Sequence, residues 1–198
     1  MADFNRFGIK EVADVKFYNI NATTGAKEGE AVLTLDTLKV STIESTAETA
    51  EARGGKGNAP LIIWDYGREI TVTLEDALLS METLSMMFEG KIDATDGKVT
   101  INANTFPGVY YVEGKTFARN EIDGKDHLFT FTIPKAKIQS EVTLTMEAEG
   151  DPTVFNMTLR VLRDKNGQMM TLERDVNPFA GGDLWAAPAE PEVPEDEE

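Results

Sequence analysis

The chain of 198 residues contains no cysteine and a single histidine, His127. Without cysteine it has no disulfides, no thiolate nucleophile and no thiolate metal ligands. A Ser-His-Asp arrangement would have to use His127, and no Gly-x-Ser-x-Gly motif accompanies it. We therefore expect no catalytic residue, no metal site and no cofactor, and we expect His127 to be an ordinary turn or strand-edge residue.

Long hydrophobic runs are also missing. No apolar stretch approaches the roughly 20 residues that a membrane-spanning helix needs. The first residues, MADFNRF, lack the apolar core of a secretory signal peptide. The sequence therefore predicts a soluble protein that has no membrane contact and is not exported by the Sec route.

Basic residues are few, with 19 Lys and Arg against 35 Asp and Glu and a formal net charge of −16. They form no cluster along the sequence of the kind that binds nucleic acid phosphates. The glycine-rich residues 53–58 resemble a phosphate-binding loop only superficially, because the spacing differs and no helix follows. An acidic surface of this kind would let DNA slide past without sticking.

Alternating apolar and polar residues predict a mainly β protein, a β-sandwich or barrel with one short flanking α-helix and a long β-hairpin arm. A change of parity near Asp36 predicts a bulge or twist there. Asn166-Gly167 between two alternating runs predicts a hairpin. Besides the arm, the expected strands cover residues 12–20, 31–38, 98–103, 108–115, 128–133, 141–147, 154–162 and 168–174, and residues 27–30 supply a turn.

One helix is expected over residues 80–89, where apolar residues recur at helical spacing. Ser80 is the predicted N-cap and Gly90 the predicted stop. The chain then divides into an N-terminal arm (1–10), a β-domain (11–176) that includes the hairpin arm (38–74), and a C-terminal extension (177–198). That extension is acidic, with six acids and no base in its last nine residues, and we expect disorder after residue 186.

The hairpin arm is the most informative segment. A strand rich in Ser, Thr, Ala and Glu runs to a glycine-rich tip at residues 53–58 and returns through residues 61–74. A two-stranded hairpin in water is marginal at best, and this one has few large apolar side chains of its own. We therefore expect neighbouring copies of the chain to complete it, which indicates an assembly protein.

Alternation along the arm separates a polar face from a weakly apolar one. The polar parity suits an aqueous acidic channel, and the residues predicted to face such a lumen are Glu44, Thr46, Glu48, Glu69, Thr71 and Thr73. The residues predicted to contact other subunits are Arg53, Lys56, Asn58, Ile62, Trp64, Tyr66, Phe4 and Phe7. Arg53 and Lys56 are expected to meet acidic surface on the next layer of subunits. The same alternation also suits a monomeric sandwich with one solvated face.

A long glycine-tipped hairpin, a return strand reading WDYGREITVTLEDAL and a short helix over residues 81–88 resemble the major tail tube protein of long-tailed bacteriophages. The resemblance implies subunits that form hexameric rings, and rings that stack into a tube. It implies that hairpins from six subunits join into one barrel around a lumen that is generally acidic. DNA would pass from capsid to host through this lumen without specific binding.

The resemblance also implies where the protein works and what it meets. Its place is the virion tail, after assembly in the host cytoplasm. Its partners are other copies of itself, within and between rings, with sheath, tape-measure and tail-terminator proteins as further candidates.

Two other kinds of protein remain open from the residues alone. A capsid decoration protein or head–tail connector module would have no need of a lumen-lining hairpin. A carbohydrate-binding or hydrolytic β-sandwich would need a cleft lined by exposed aromatics and paired acids, whereas Trp64 and Trp185 lie in dissimilar contexts.

Overall fold

The computed structural model describes residues 6–9, 14–93, 96–122, 124–139, 155–182 and 184–185. These residues form antiparallel sheets with one short helix, which confirms the predicted mainly β fold. The elements in chain order are β1 Phe7–Ile9, β2 Asp14–Ile20, β3 Lys27–Leu35, β4 Leu38–Gly54, β5 Ala59–Asp76, α1 Met81–Phe88, β6 Lys91–Asp93, β7 Lys98–Thr100, β8 Val109–Asn120, β9 Asp126–Ile138, β10 Phe155–Val161 and β11 Thr171–Pro178.

Nine of the described strands form a single sheet. Its order is β3-β2-β8-β9-β10-β5-β4, with β1 paired to the C-terminal part of β8 and β11 paired to β9. Strands β6 and β7 form a separate two-stranded sheet. The two layers of the predicted sandwich are therefore distant parts of one continuous sheet.

The core lies inside this sheet, which folds back on itself. Val15 and Leu33 come from strands at one end of the strand order, and Val72 comes from the other end, yet all three belong to one buried cluster. Met86 and Met87 of α1 join the same cluster. Because only alternate residues of each strand enter the core, the opposite face remains polar and partly exposed.

Gly114 of β8 lies directly under a core aromatic ring. It pairs with Phe131 of β9, and a Cβ added at Gly114 would lie 2.1 Å from Cε1 of that buried ring. Gly114→Ala should therefore destabilise the fold by about 1–3 kcal/mol through overpacking. Urea unfolding measures this loss.

A double-mutant cycle identifies the cause of that loss. In a Phe131→Ala background the Gly114→Ala penalty should shrink, with a coupling energy of about 1 kcal/mol or more. Gly8→Ala is the control, because a Cβ at Gly8 meets nothing within 4 Å. Equal penalties in both Phe131 backgrounds would mean that the ring is not what excludes the methyl group.

Several strands are longer than predicted. β3 begins at Lys27, so the turn expected at residues 27–30 is wrong; Gly29 has φ +72° and lets the strand continue through an irregular register. β8 extends to Asn120, and β9 extends through Pro134, where the register shifts between Tyr110 and Val112. A proline is tolerated within a strand at such an irregularity. From the sequence alone, the strand is predicted to end before Pro134.

The turn at Asn166-Gly167 is present, but the hairpin predicted from it is wrong. Asp164 organises the turn, because its carboxylate accepts hydrogen bonds from the backbone N–H groups of Asn166 (2.8 Å) and Gln168 (2.7 Å). The flanking strands do not pair with each other: β10 pairs with β5 and β9, and β11 pairs with β9. Both strands follow the same edge of β9, so the turn passes the chain from one partner segment to the next.

The helix and the break before the arm agree with prediction. The Ser80 hydroxyl caps α1 by accepting from the N–H of Thr83 at 3.0 Å. Glu89, at φ +49°, takes the left-handed position that ends the helix. Gly90 follows it and is needed for space, since a Cβ there would lie 2.5 Å from Val99. The chain leaves the strand conformation at residues 36–37, where the parity change was predicted.

His127 is not the turn or strand-edge residue that we expected. It lies within β9, is fully buried, and its Nδ1 is 3.1 Å from the carbonyl oxygen of Asp175 in β11. It therefore helps to hold β11 against β9. In the sequence, His127 follows Lys125 and Asp126 and precedes a predicted strand, and this position does not indicate burial.

Both termini of the described chain are attached to the sheet. Phe7 of β1 packs against Phe129 with ring centroids 5.8 Å apart. The ring centroids of Phe179 and Phe117 are 5.0 Å apart, and the ammonium group of Lys16 lies over the Trp185 ring. Phe4, the strand predicted at residues 141–147 and the acidic tail after residue 186 lie outside the described residues.

Candidate functional site

The hairpin arm, formed by β4 and β5, is the feature that the rest of the fold positions. Its four-residue tip, residues 55–58, joins the pair Gly54 and Ala59. Gly55 and Gly57 have φ values of +78° and +90°, and Asn58 has φ +51°. These positions favour residues without a bulky Cβ, so the glycine-rich sequence at the tip is required by the turn.

The root of the arm is anchored in the body. Ile70, Val72 and Leu74 point into the core, and β10 pairs with β5 from Thr71 to Asp76. The Thr37 hydroxyl donates to the buried Asp76 carboxylate, and the N–H of Ala77 donates to the carbonyl of Thr37 at 3.1 Å. The part of the arm nearest the body is therefore held on one face by the core and at its base by these hydrogen bonds.

A bulge at Gly67 separates this root from the outer half. Thr46 pairs with Glu69 and Glu48 pairs with Tyr66, so two residues of β5 oppose Ala47 alone. Gly67 has φ +62°, which makes this a bulge with glycine in the left-handed position. We call residues 38–46 with 69–76 the proximal half, and residues 47–66 the distal half.

The distal half exposes an unusual amount of apolar surface. None of its residues is buried by the described part of the chain. Leu61 is 67% exposed and Trp64 52%. Large apolar groups at this density on a thin ribbon mark an interaction surface. The exposed set is Leu61, Ile62, Ile63, Trp64 and Tyr66.

The arm also carries unpaired strand edges. β4 is the last strand in the order, so its outer edge has no neighbour over the whole of Leu38–Gly54 within the described residues. β5 meets β10 only from Thr71 onward, so residues 59–70 have β4 on one side and no described strand on the other. Two open edges on an apolar ribbon form a template for pairing with another chain.

The register places the predicted lumen residues on one face. Directly paired residues of antiparallel strands point to the same side. Glu44 pairs with Thr71, Thr46 with Glu69 and Thr42 with Thr73. Glu48 follows Thr46 at the same parity, and its pair is Tyr66.

This polar face is acidic. Glu44, Glu48, Glu69 and Glu75 lie on it, and none of the residues directly paired with these four is a lysine or an arginine. The neighbouring strand β10 contributes Arg160, whose guanidinium forms an ion pair with Glu69. The sequence analysis missed Arg160, because only the pairing of β10 with β5 brings it beside the arm.

The residues predicted to contact other subunits occupy different places. Ile62 and Trp64 pair with Ala52 and Ala50, so they share the nominal face of Glu48. The bulge at Gly67 puts them there, since regular alternation along β5 would place Ile62 and Trp64 on the face opposite Glu69. Lys56 and Asn58 lie in the tip, and Phe7 packs within its own chain.

Arg53, which was predicted to meet acidic surface on another subunit, has a partner within its own arm. Its guanidinium is 2.5 Å from the carboxylate of Glu51, two residues away. Both side chains are partly exposed, so this ion pair contributes little to stability and is easily exchanged.

The groups with displaced pKa values lie on β2 and β8, away from the arm. Burial raises the pKa of Tyr18 to about 12, and the charge of Glu113 adds to the effect. Burial also raises the pKa of Asp14, helped by Asp36. In the described ranges no three His, Asp or Glu side chains converge as metal ligands would, and no described helix is long and apolar enough to cross a membrane.

Comparison with known proteins assigns the chain to a family. The sequence profile of the YomU/Tube protein family matches residues 7–98 and 88–172, which together include the arm, the helix and most of the sheet. No curated protein sequence matches the chain. Since the family match covers most of its length, the chain belongs to the YomU/Tube protein family, a family of phage tube-like proteins.

Proposed function

We propose that the chain is the structural subunit of a phage tail tube, in which copies associate through their arms into stacked rings. Six copies per ring is the number that the resemblance to tail tube proteins implies. The observation that carries the proposal is the distal half of the arm, which extends beyond the body with exposed apolar side chains and two edges that no described strand covers.

Ring closure would pair the two strand edges of the arm that the described residues leave open. The outer edge of β4 in one copy would pair with the open part of β5 in the next, so that a closed barrel has no free edges. Within that barrel Trp64 and its apolar neighbours would be covered by adjacent arms. Buried aromatics of this kind carry much of the binding energy of an interface.

The acidic face supports a role as a DNA conduit. Glu44, Glu48 and Glu69 would line the channel. Arg160 pairs with Glu69, so the charges of Glu44 and Glu48 would repel the phosphate backbone and prevent tight binding. DNA would then pass during ejection without specific contacts. The outer surface of the rings is left for sheath and tail-terminator proteins, and the lumen for a tape-measure protein before DNA enters.

The proposal has no catalytic step. Membership of a tube family supports a structural role in the virion tail. Assembly from newly made chains would take place in the host cytoplasm.

Negative-stain electron microscopy of the purified protein tests the proposal. Rings or tubes with a central channel are expected, and class averages of end views give the number of copies in a ring. A strictly monomeric protein at high concentration, with an ordered arm, would contradict it.

A substitution at Gly67 offers a finer test of the proposal, because the bulge sets the direction of the distal half relative to the proximal half. A non-glycine residue in the left-handed region costs about 1–2 kcal/mol, and a β-branched residue is disfavoured further. Gly67→Val should therefore raise the critical concentration for assembly by about 5- to 30-fold, as measured by sedimentation.

Gly67→Asn is the matched control, since asparagine tolerates this conformation better than other residues. It should assemble almost as well as the unsubstituted chain. If both variants assemble equally well, the left-handed bulge is not needed in the assembled arm.

A further inference from the structure

Basic side chains that are scattered in the sequence gather at one end of the sheet. Lys137 of β9 pairs directly with Arg160 of β10, and the N–H of Leu162 donates to the carbonyl of Lys135 at 2.8 Å. Arg163 and Lys165 follow in the turn after β10. We call Lys135, Lys137, Arg163 and Lys165 the basic end. It stands out in a chain whose formal net charge is −16.

The basic end lacks anionic partners within the described residues. All four of its side chains are exposed and none forms an ion pair there. Asp164 lies among them, but its carboxylate already accepts from two backbone N–H groups of the turn. Arg160, which lies directly opposite Lys137, already has Glu69 as its anionic partner and is therefore not counted in the basic end.

A groove adjoins the basic end. Its volume is about 610 Å³, and it lies between the β2–β3 turn, the first residue of β8 and the turn after β10. Lys135 and Lys165 line one side, and Val109 lies at the end of β8 that the groove meets. An extended acidic segment entering from β8 would therefore meet both lysines.

The C-terminal segment runs along β8 toward this groove. Phe179 packs on Phe117, and further on the Lys115 ammonium donates to the carbonyl of Leu184 at 3.2 Å. Trp185 then lies under two ammonium groups, with Lys16 Nζ 4.2 Å and Lys115 Nζ 4.7 Å from the ring centroid. Phe117, Lys115 and Val109 alternate on the outer face of β8, so the direction of travel leads to the groove.

The remaining chain is long enough to reach it. The six residues from Lys115 to Val109 span about 20 Å of strand. Residues 186–198 can extend to about 43 Å. Prolines at positions 188, 191 and 194 favour an extended conformation over a compact one. Glu113, the acid on this path, is paired with Lys27 at 2.9 Å.

We propose that the acidic tail, residues 186–198, docks on its own chain along the outer face of β8 and places its carboxylates on the basic end. The tail supplies six acids and no base to a site that supplies four cations. Trp185, held between Lys16 and Lys115, fixes the point from which the tail departs. This docking does not depend on the function proposed above.

Pulsed electron–electron spin resonance tests the docking. The chain has no cysteine, so nitroxide labels at Glu198→Cys and Asn166→Cys are the only ones attached. Dilution with an excess of unlabelled chain restricts the measured distance to one molecule, whether or not copies have assembled. We expect a narrow, short distance distribution at low salt that becomes broad and longer in 0.5 M salt, because exposed charges are screened.

Charge reversal distinguishes a tail that docks on the basic end from a tail that lies near it without binding. Lys135→Glu with Lys165→Glu should abolish the narrow distribution. Lys91→Glu with Lys98→Glu, an equal change of charge at two exposed lysines of β6 and β7, should leave it intact. A broad distribution that is the same in all three chains and at both salt concentrations would overturn the proposal. A short distance seen only without dilution would also overturn it, since the tail would then dock on a neighbouring copy.

Discussion

A chain with its arm cut back to the proximal half should fold normally and form no tubes. The variant replaces residues 47–68 with Asn-Gly, so that the paired residues Thr46 and Glu69 are joined by a two-residue turn. The distal half contributes no buried residue to the body, so its loss should change the free energy of unfolding by less than about 1 kcal/mol. That corresponds to a shift of the melting temperature by a few degrees at most, roughly 2–4 °C.

Assembly, in contrast, should be lost entirely, because the shortened chain lacks both the apolar surface and the open part of β5 that neighbouring arms would cover. Thermal unfolding monitored by circular dichroism and electron microscopy of the same preparation measure the two effects. A matched control shortens only the exposed turn at residues 22–25, which joins β2 to β3 and lies outside the arm. Tubes from the arm-shortened chain would show that the distal half is not the assembly surface.

Trp64→Ala should raise the critical concentration for assembly by about 30- to 1,000-fold. Trp64 is half exposed in the single chain and lies opposite the small side chain of Ala50, so about half of its surface is left for a neighbouring copy to cover. Burial of such a side chain at the centre of an interface contributes about 2–4 kcal/mol when measured by truncation, and this range gives the expected change in concentration. The folding stability of the single chain should be unchanged.

The second tryptophan provides the control. Trp185 lies on β2 and β8 over Lys16 and Lys115, so Trp185→Phe should assemble like the unsubstituted chain. In that variant Trp64 is the sole tryptophan, and its fluorescence should move to shorter wavelength as tubes form. An emission maximum that stays at the solvent-exposed wavelength after assembly would exclude Trp64 from the subunit contact.

The sequence predicted the elements whose signals are local. Ser80 and the apolar spacing around it give the helix, because capping and periodicity act within a few residues. The arm is recognisable for the same reason: a long alternating strand, a glycine-rich tip and a second alternating strand lie next to one another in the chain. The separation of Glu44 and Thr71 from Ile43 and Val72 also follows from alternation and is seen in the register.

What the sequence could not reveal depends on pairing between distant residues. The bulge at Gly67 changes the relation between Tyr66 and Glu69, and a count of alternate residues assumes a regular strand there. The burial of His127 depends on β11 folding onto β9. The same limit hid the basic end, because about 25 residues of chain separate its first two lysines, Lys135 and Lys137, from its residues 163 and 165, and the two groups meet only because β10 lies beside β9.

Hydrogen–deuterium exchange shows whether the arm is incomplete in the single chain, because it reports the backbone hydrogen bonds along the open edges of β4 and β5. In the unassembled chain, amides of residues 47–66 should exchange rapidly while those of β8 and β9 remain protected. In assembled tubes the same arm amides should slow by about 100-fold or more, as neighbouring arms pair with the open edges. Arm amides that are already as well protected in the single chain as those of β8 would contradict the account, since the arm would then be complete without its neighbours.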